Sequence, residues 1–245
     1  QVEAGIVADA LNTLGILAAN QGDYARAAAC FEGCLAMGRE NGDAYGVSRA
    51  LSNLGIVASQ QQDYGRAIDL HQQSLTICRE QGYEKSTADA LGNLAETARR
   101  QGDYQRAVMW SEESLALYRE LHDPMEVATA LHTLGLSLAA QGKHERAESA
   151  YKEGLELHHR LGHNKGIIEI VEGLAALMSA CKKPERAARL FGAAAALRDE
   201  FGVYRPPADQ PTYDSEVVAA RIALGDEAFE KAWAEGRSLS LEEVI

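Results

Sequence analysis

The residues best equipped for chemistry in this chain are a histidine cluster, four cysteines and a regular series of arginines. His158, His159 and His163 lie close together, and His159 and His163 stand four apart, a spacing that puts two imidazoles on one helix face. Gly162 falls between them, where a helix should end, and no nearby cysteine or clear carboxylate completes a ligand set. The expectation is a solvated loop with no metal. Cys30 and Cys34 sit one helical turn apart, while Cys78 and Cys181 stand alone. Without a CxxC pair, all four read as small packing residues in a reducing, cytoplasmic setting. Arg26, Arg66, Arg106, Arg146 and Arg186 recur every 40 residues. They read as surface partners of neighbouring acids in preference to an anion track.

No GxSxG, HExxH or paired-carboxylate signature occurs, and no GxxxxGK[ST] loop is present to cradle phosphates. The expectation is a chain that is not an enzyme, uses no cofactor and binds no metal. The net charge is -12, from 24 basic and 36 acidic residues. Such a chain repels a phosphate backbone, so direct nucleic-acid binding is not expected. No apolar stretch approaches a membrane span and no signal peptide opens the sequence. The first residue is Gln1 in an already helical pattern, and Leu241 to Ile245 read as a helix cut short. The expectation is a piece of a longer protein.

These side chains need elements to hold them, and the elements announce themselves as a repeat. Ala10-Leu11-x-x-Leu14-Gly15 returns as Ala50-Leu51-x-x-Leu54-Gly55, as Ala90-Leu91-x-x-Leu94-Ala95 and as Ala130-Leu131-x-x-Leu134-Gly135. A weaker copy is Val171-x-x-Leu174-Ala175. A second anchor, Gln21-Gly22-Asp23-Tyr24-x-Arg26-Ala27, keeps the same 40-residue period through Arg186-Ala187. Each copy predicts two helices, the first carrying Ile6, Ala10, Leu14 and Leu17 at helical spacing. Asp23, Asp63 and Asp103 stand where N-caps belong, and Pro184 suits a first helical position. The second helices are expected to end near Gly42, Gly82, His122-Asp123, Gly162 and Gly202. Asp123-Pro124 is a further helix start. Gly15, Gly55 and Gly135 are expected to face Ala27, Ala67 and Ala147, letting paired helices approach closely. Single hairpins cannot bury their apolar faces, so neighbours must stack into a continuous core.

Leu11-x-x-Leu14-Gly15 followed by Ala27-x-x-x-Phe31 resembles the tetratricopeptide repeat in order and internal spacing. Leu11 replaces the usual tryptophan, and the usual late proline is missing. The period exceeds the common one by about six residues. Those residues must lengthen either the helices or the loop between repeats. This long form resembles repeats of kinesin light chains and bacterial regulators; HEAT and armadillo repeats fit the Leu-Gly and Arg-Ala anchors poorly. The resemblance implies an all-α TPR-type α-solenoid, a right-handed superhelix of helix-turn-helix repeats. Five repeats span residues 1–203, and residues 204–245 form extra C-terminal capping helices with the last one truncated. Ser240-x-x-Glu243 reads as a capping box for that last helix.

The tail narrows the resemblance. Pro184-Glu185-Arg186-Ala187-Ala188-Arg189-Leu190-Phe191-Gly192, then Arg205-Pro206-Pro207 and Ala232-Trp233-x-Glu235-Gly236-Arg237, are similar to the end of the repeat region in bacterial signalling ATPases and LuxR-type transcriptional regulators. That likeness implies a sensor and interaction domain for a protein, peptide or other ligand, with other domains of the same longer chain among its possible partners. A stand-alone scaffold or peptide-receptor adaptor, similar to a co-chaperone, is the alternative. Family arrangement places the binding surface on the concave side, lined by first helices. The inward positions are then Asn12, Arg49, Asn53, Asn93, Glu96, Arg99, Arg100 and His132. Asn53 and Asn93 share one repeat position, and each carboxamide offers a donor and an acceptor to a peptide backbone. A hydrated polar face with no ligand is the competing reading.

Overall fold

A computed structural model describes residues 2–206 and 210–244. Every regular element among them is a helix. The chain divides into two compact units, Gln1–His122 and Asp123–Ile245. The first holds α1 (Val2–Asn20), α2 (Tyr24–Asn41), α3 (Ala44–Gln60), α4 (Tyr64–Gln81), α5 (Glu84–Gln101) and α6 (Tyr104–Glu120). The second holds α7 (Pro124–Ala140), α8 (His144–Arg160), α9 (Asn164–Ala180), α10 (Pro184–Phe201), α11 (Gln210–Leu224), α12 (Asp226–Arg237) and α13 (Leu241–Val244). From α1 to α10, odd and even helices pair as hairpins, and within the units consecutive hairpins stack: α2 on α3, α4 on α5, α8 on α9; α12 packs chiefly on α10.

The local reasons are the expected ones. Carboxylates of Asp23, Asp63 and Asp103 accept the amides of Arg26, Arg66 and Arg106 at 3.0–3.2 Å, satisfying otherwise orphaned helix donors. Asp43 and Asp123 do the same for the following first helices, through the amides of Gly46 and Glu126. Pro184 opens α10. Turns run through left-handed backbone at Gly22 (φ 78°) and Gly102 (φ 87°), but the same turn of the second hairpin uses Gln62 at φ 64°. A side chain there is strained, because its Cβ crowds the following carbonyl. The turns are short throughout, so the longer period lies in the helices, 17 or 18 residues each from α2 through α10.

One expected contact moves by a helical turn. The glycines do not receive Ala27, Ala67 and Ala147, although those alanines are fully buried. They receive the residue four positions later. A Cβ on Gly15 would stand 2.6 Å from the Phe31 ring; on Gly55, 2.5 Å from His71; on Gly135, 2.6 Å from Tyr151. The ring follows the alanine by one turn on the same face, and its length carries it across to the glycine. A second periodic contact locks each hairpin of the first unit. Cys34 Sγ donates to Ala8 O at 3.3 Å, Ser74 Oγ to Ser48 O and Ser114 Oγ to Ala88 O, both at 2.9 Å. Cys34 is thus a small buried donor at a position that takes serine in the other two hairpins of this unit.

Candidate functional site

Seven of the eight expected site residues lie on first helices of the first unit. Residues 49, 53, 56 and 60 of α3 are spaced to share one helix face, and so are their counterparts on α1 and α5. This face forms a stripe crossing three hairpins, and its side chains meet between repeats. Asn53 Nδ2 donates to Asn12 Oδ1 at 2.8 Å. Arg49 pairs with Asp9 at 2.9 Å. Arg100 donates to Glu96 at 2.7 Å and reaches Gln60 of α3 at 3.5 Å. Arg99 grips both carboxylate oxygens of Glu96 at 2.8 Å. Burial pushes the Glu96 carboxyl upward, but hydrogen bonds and charge from Arg99 and Arg100 outweigh it and hold the group below its ordinary value. Asn93 is half-buried and has no hydrogen-bond partner among the described residues.

The stripe is therefore pre-organised, and it is not wholly polar. Ile16 and Ile56 occupy the repeat position of Glu96 on α1 and α3 and are 44% and 40% exposed. Neither figures among the expected residues, and neither do Asp9 and Gln60. All four occupy the repeat positions of residues that do: Asp9 matches Arg49, Gln60 matches Arg100, and the isoleucines match Glu96. Beside Arg49 a recess of about 220 Å³ opens between α1, α2 and α3, lined by Ala8, Cys34, Met37, Asn41 and Gly46 among others.

His132 stands apart from this group, in the second unit, tilted against Tyr151 at 6.2 Å between ring centroids. There the stripe on α9 is already covered. Glu172, at the repeat position of Asn12, accepts Arg198 at 3.0 and 3.1 Å and also accepts Arg205 from the segment before α11. The Arg205 guanidinium stacks on Tyr213 of α11, 3.4 Å from the ring centroid. Tyr213 in turn packs edge-on against Phe191. Burial, with the Glu172 charge adding to it, pushes Glu216 of α11 up to about 7.

The histidine cluster differs from expectation. His158 is buried at the end of α8, and its Nδ1 lies 3.2 Å from Nδ1 of His163. The pair is His158–His163, not His159–His163, and it forms a packed contact instead of a solvated loop. The physical reason is Gly166, whose missing side chain leaves room for the His158 ring. Burial, with a smaller effect from His163, lowers the His158 pKa to about 4. No three potential ligand side chains gather into a metal site among the described residues. Of the arginine series, Arg66 reaches Glu32 at 3.7 Å and Arg106 pairs with its own cap Asp103 at 2.6 Å. No helix among the described residues is long and apolar enough to cross a membrane.

Comparison with known proteins follows the same geometry. The tetratricopeptide repeat profile matches residues 6–80 and 86–160. A stretch of 57 residues, 23% of this chain, is 49% identical to HTH-type transcriptional regulators of Mycobacterium bovis and Mycobacterium tuberculosis. The match spans 6% of those regulators' length. Among solved structures, BtubC from P. vanneervenii superposes with a TM-score of 0.69 at 21% identity, over 87% of this chain and 89% of that one. A Rap protein complexed with Competence and Sporulation Factor gives 0.65 at 14% identity, over 96% and 66%. At such identities the likeness is one of fold.

Proposed function

Because the chain belongs to the tetratricopeptide repeat family, we propose that it is an interaction domain whose working surface is the first-helix stripe of residues 1–122. The observation that carries this reading is the stripe itself. Amides, guanidiniums and carboxylates are aligned across three hairpins by cross-repeat bonds, Asn93 stands half-buried in the same line, and two isoleucines lie exposed along it. A partner segment would satisfy the amides with its backbone and seat an apolar side chain against Ile16 and Ile56. Because the stripe is already ordered, less side-chain entropy is lost when the partner binds.

We further propose that the partner is a protein or peptide and that the chain serves a bacterial signalling or transcriptional regulator. The short match to HTH-type regulators supports this, as does the fold shared with a Rap protein that holds Competence and Sporulation Factor. In this reading residues 1–203 carry the repeats and residues 204–245 close their end. Panning a displayed library of random peptides on the immobilised chain tests the surface. Enriched peptides are expected to compete with one another and to lose at least about tenfold in affinity on an Asn53→Ala/Asn93→Ala/Arg100→Ala variant. Peptides that bind that variant as well as the parent would remove the stripe from the account.

A further inference from the structure

In each unit, a first helix that follows another hairpin buries one apolar face against that hairpin's second helix. On α3 this face is Val47, Ala50, Leu54 and Val57. Leu54 and Val57 share a core with Ala18, Ala27 and Phe31 of the preceding hairpin. Val47 lies 3.0 Å from where a Cβ on Gly38 of α2 would stand. On α5, Ala90, Leu91 and Leu94 pack with Ile68 and Leu75 of α4. On α9, Ile170 lies against Gly154 of α8, and Leu174 and Leu177 are buried.

On α1 the same repeat positions are Val7, Ala10, Leu14 and Leu17, with Ile6 alongside. They are apolar like their counterparts but are left uncovered. Leu14 is 43% exposed, against 4%, 0% and 8% for Leu54, Leu94 and Leu174. Leu17 is 52% exposed, against 3% for Val57 and 1% for Leu177. A terminal repeat that faces water carries a polar outer surface. This face does not. It has the composition of a buried repeat interface and is a contiguous exposed apolar patch.

We propose that the Ile6–Val7–Ala10–Leu14–Leu17 face of α1 seats the second helix of a further hairpin supplied by the same polypeptide ahead of residue 1. Within the units, the equivalents on α3, α5 and α9 are each covered by the hairpin that precedes them in sequence, across a link of two or three residues. The covering helix needs a small residue followed four positions later by a ring, as in Ala27–Phe31, Ala67–His71 and Ala147–Tyr151. The regulators that match a stretch of this chain are far longer than the 57 matched residues, with chain enough to supply it. A second copy is the poorer occupant, because two chains of net charge -12 repel each other.

The test duplicates residues 4–43 immediately ahead of Ala4, which sets a copy of α2 at the 40-residue period before its original. The extended chain is expected to melt at least about 5 °C higher, with slower amide exchange along α1. A Leu14→Glu/Leu17→Glu substitution is expected to leave the parent's melting within about 1 °C and to abolish the gain in the extended chain. Equal melting of parent and extended chain, or equal losses from the substitution in both, overturns the proposal. So does a parent that sediments as a dimer dissociated by the same substitution, which would make a second copy the occupant. An encoded sequence ahead of residue 1 with a small residue and a ring forty positions before Ala27 and Phe31 supports it; a sequence lacking them overturns it.

Discussion

The first-helix stripe of residues 1–122 and the same stripe on α9 began from one repeat pattern and ended differently. On α1, α3 and α5 the polar groups bond across repeats and still face outward, with Ile16 and Ile56 bare beside them. On α9, Glu172 is claimed by Arg198 and Arg205, and Tyr213 of α11 lies under the Arg205 guanidinium. The second case teaches what such a stripe can hold: a segment of chain that brings a cation to a carboxylate and an aromatic ring to the cation. It also shows where space remains, since in the first unit no comparable segment lies on the stripe among the described residues.

Removing the anchor of the occupied stripe has the largest expected effect. Glu172→Ala leaves two largely buried guanidiniums without their carboxylate and is expected to cost about 3–5 kcal/mol, read by denaturant unfolding, with faster amide exchange in α11. The hairpin packing common to both units sets the next scale. Gly55→Leu and Gly135→Leu each drive a side chain into a ring and are expected to cost about 1–3 kcal/mol. Similar losses at both sites keep the contrast on the stripe; a large loss at only one would place it in the hairpin cores.

Acid and base separate the units further. Burial lowers His71 in the first unit to about 4 from 6.5, and His158 in the second is lowered likewise. Each binds a proton more readily when unfolded. Their contribution is intact above pH 6.5 and is lost as pH falls toward 4, at roughly 1.4 kcal/mol per pH unit per histidine. Glu216 runs the other way. Its folded value of about 7 lies above the ordinary 4.5, so docking of α11 is strongest below 4.5 and weakens as pH rises through 7. Amide exchange in α11 between pH 4.5 and 8, corrected for intrinsic exchange, is the measurement, with α5 as a reference that is flat above pH 6.5. A smaller gain comes from the strained turn: Gln62→Gly is expected to stabilise by about 1 kcal/mol in thermal melting. The smallest stability effect falls on the open stripe. Asn53→Ala and Asn93→Ala are expected to stay within about 0.5 kcal/mol of the parent, because both are only half-buried on an open face.

Much of this was legible in the residues. Leu-Gly and Arg-Ala anchors at a fixed period predict the hairpins, and Asp23, Asp63 and Asp103 predict their starts, because caps and periodicity are local properties. Contacts between helices were harder to read. The partner of Gly15 is Phe31 and not Ala27, a choice set by side-chain length that spacing alone does not reveal. His158 read as solvated because its burial depends on Gly166 in the next helix. Asn12, Arg49, Asn53 and Asn93 could be placed by register, whereas Ile16 and Ile56 look like ordinary core residues until the neighbouring helices are seen to leave them bare. Helices after residue 203 were expected to cap the repeats, but that α11 would cover α9 was not legible, since residues beyond 203 leave the repeat and carry no periodic signal.

The most direct test of the stripe's role is a binding footprint. Backbone amide spectra of the isotope-labelled chain, titrated with a peptide selected on it, report which helices respond. The account predicts shifts concentrated on α1, α3 and α5, at residues including Asn53, Ile56, Asn93 and Arg100, with α9 to α11 unmoved. Shifts confined to the second helices, or to α9 and α11, would contradict it.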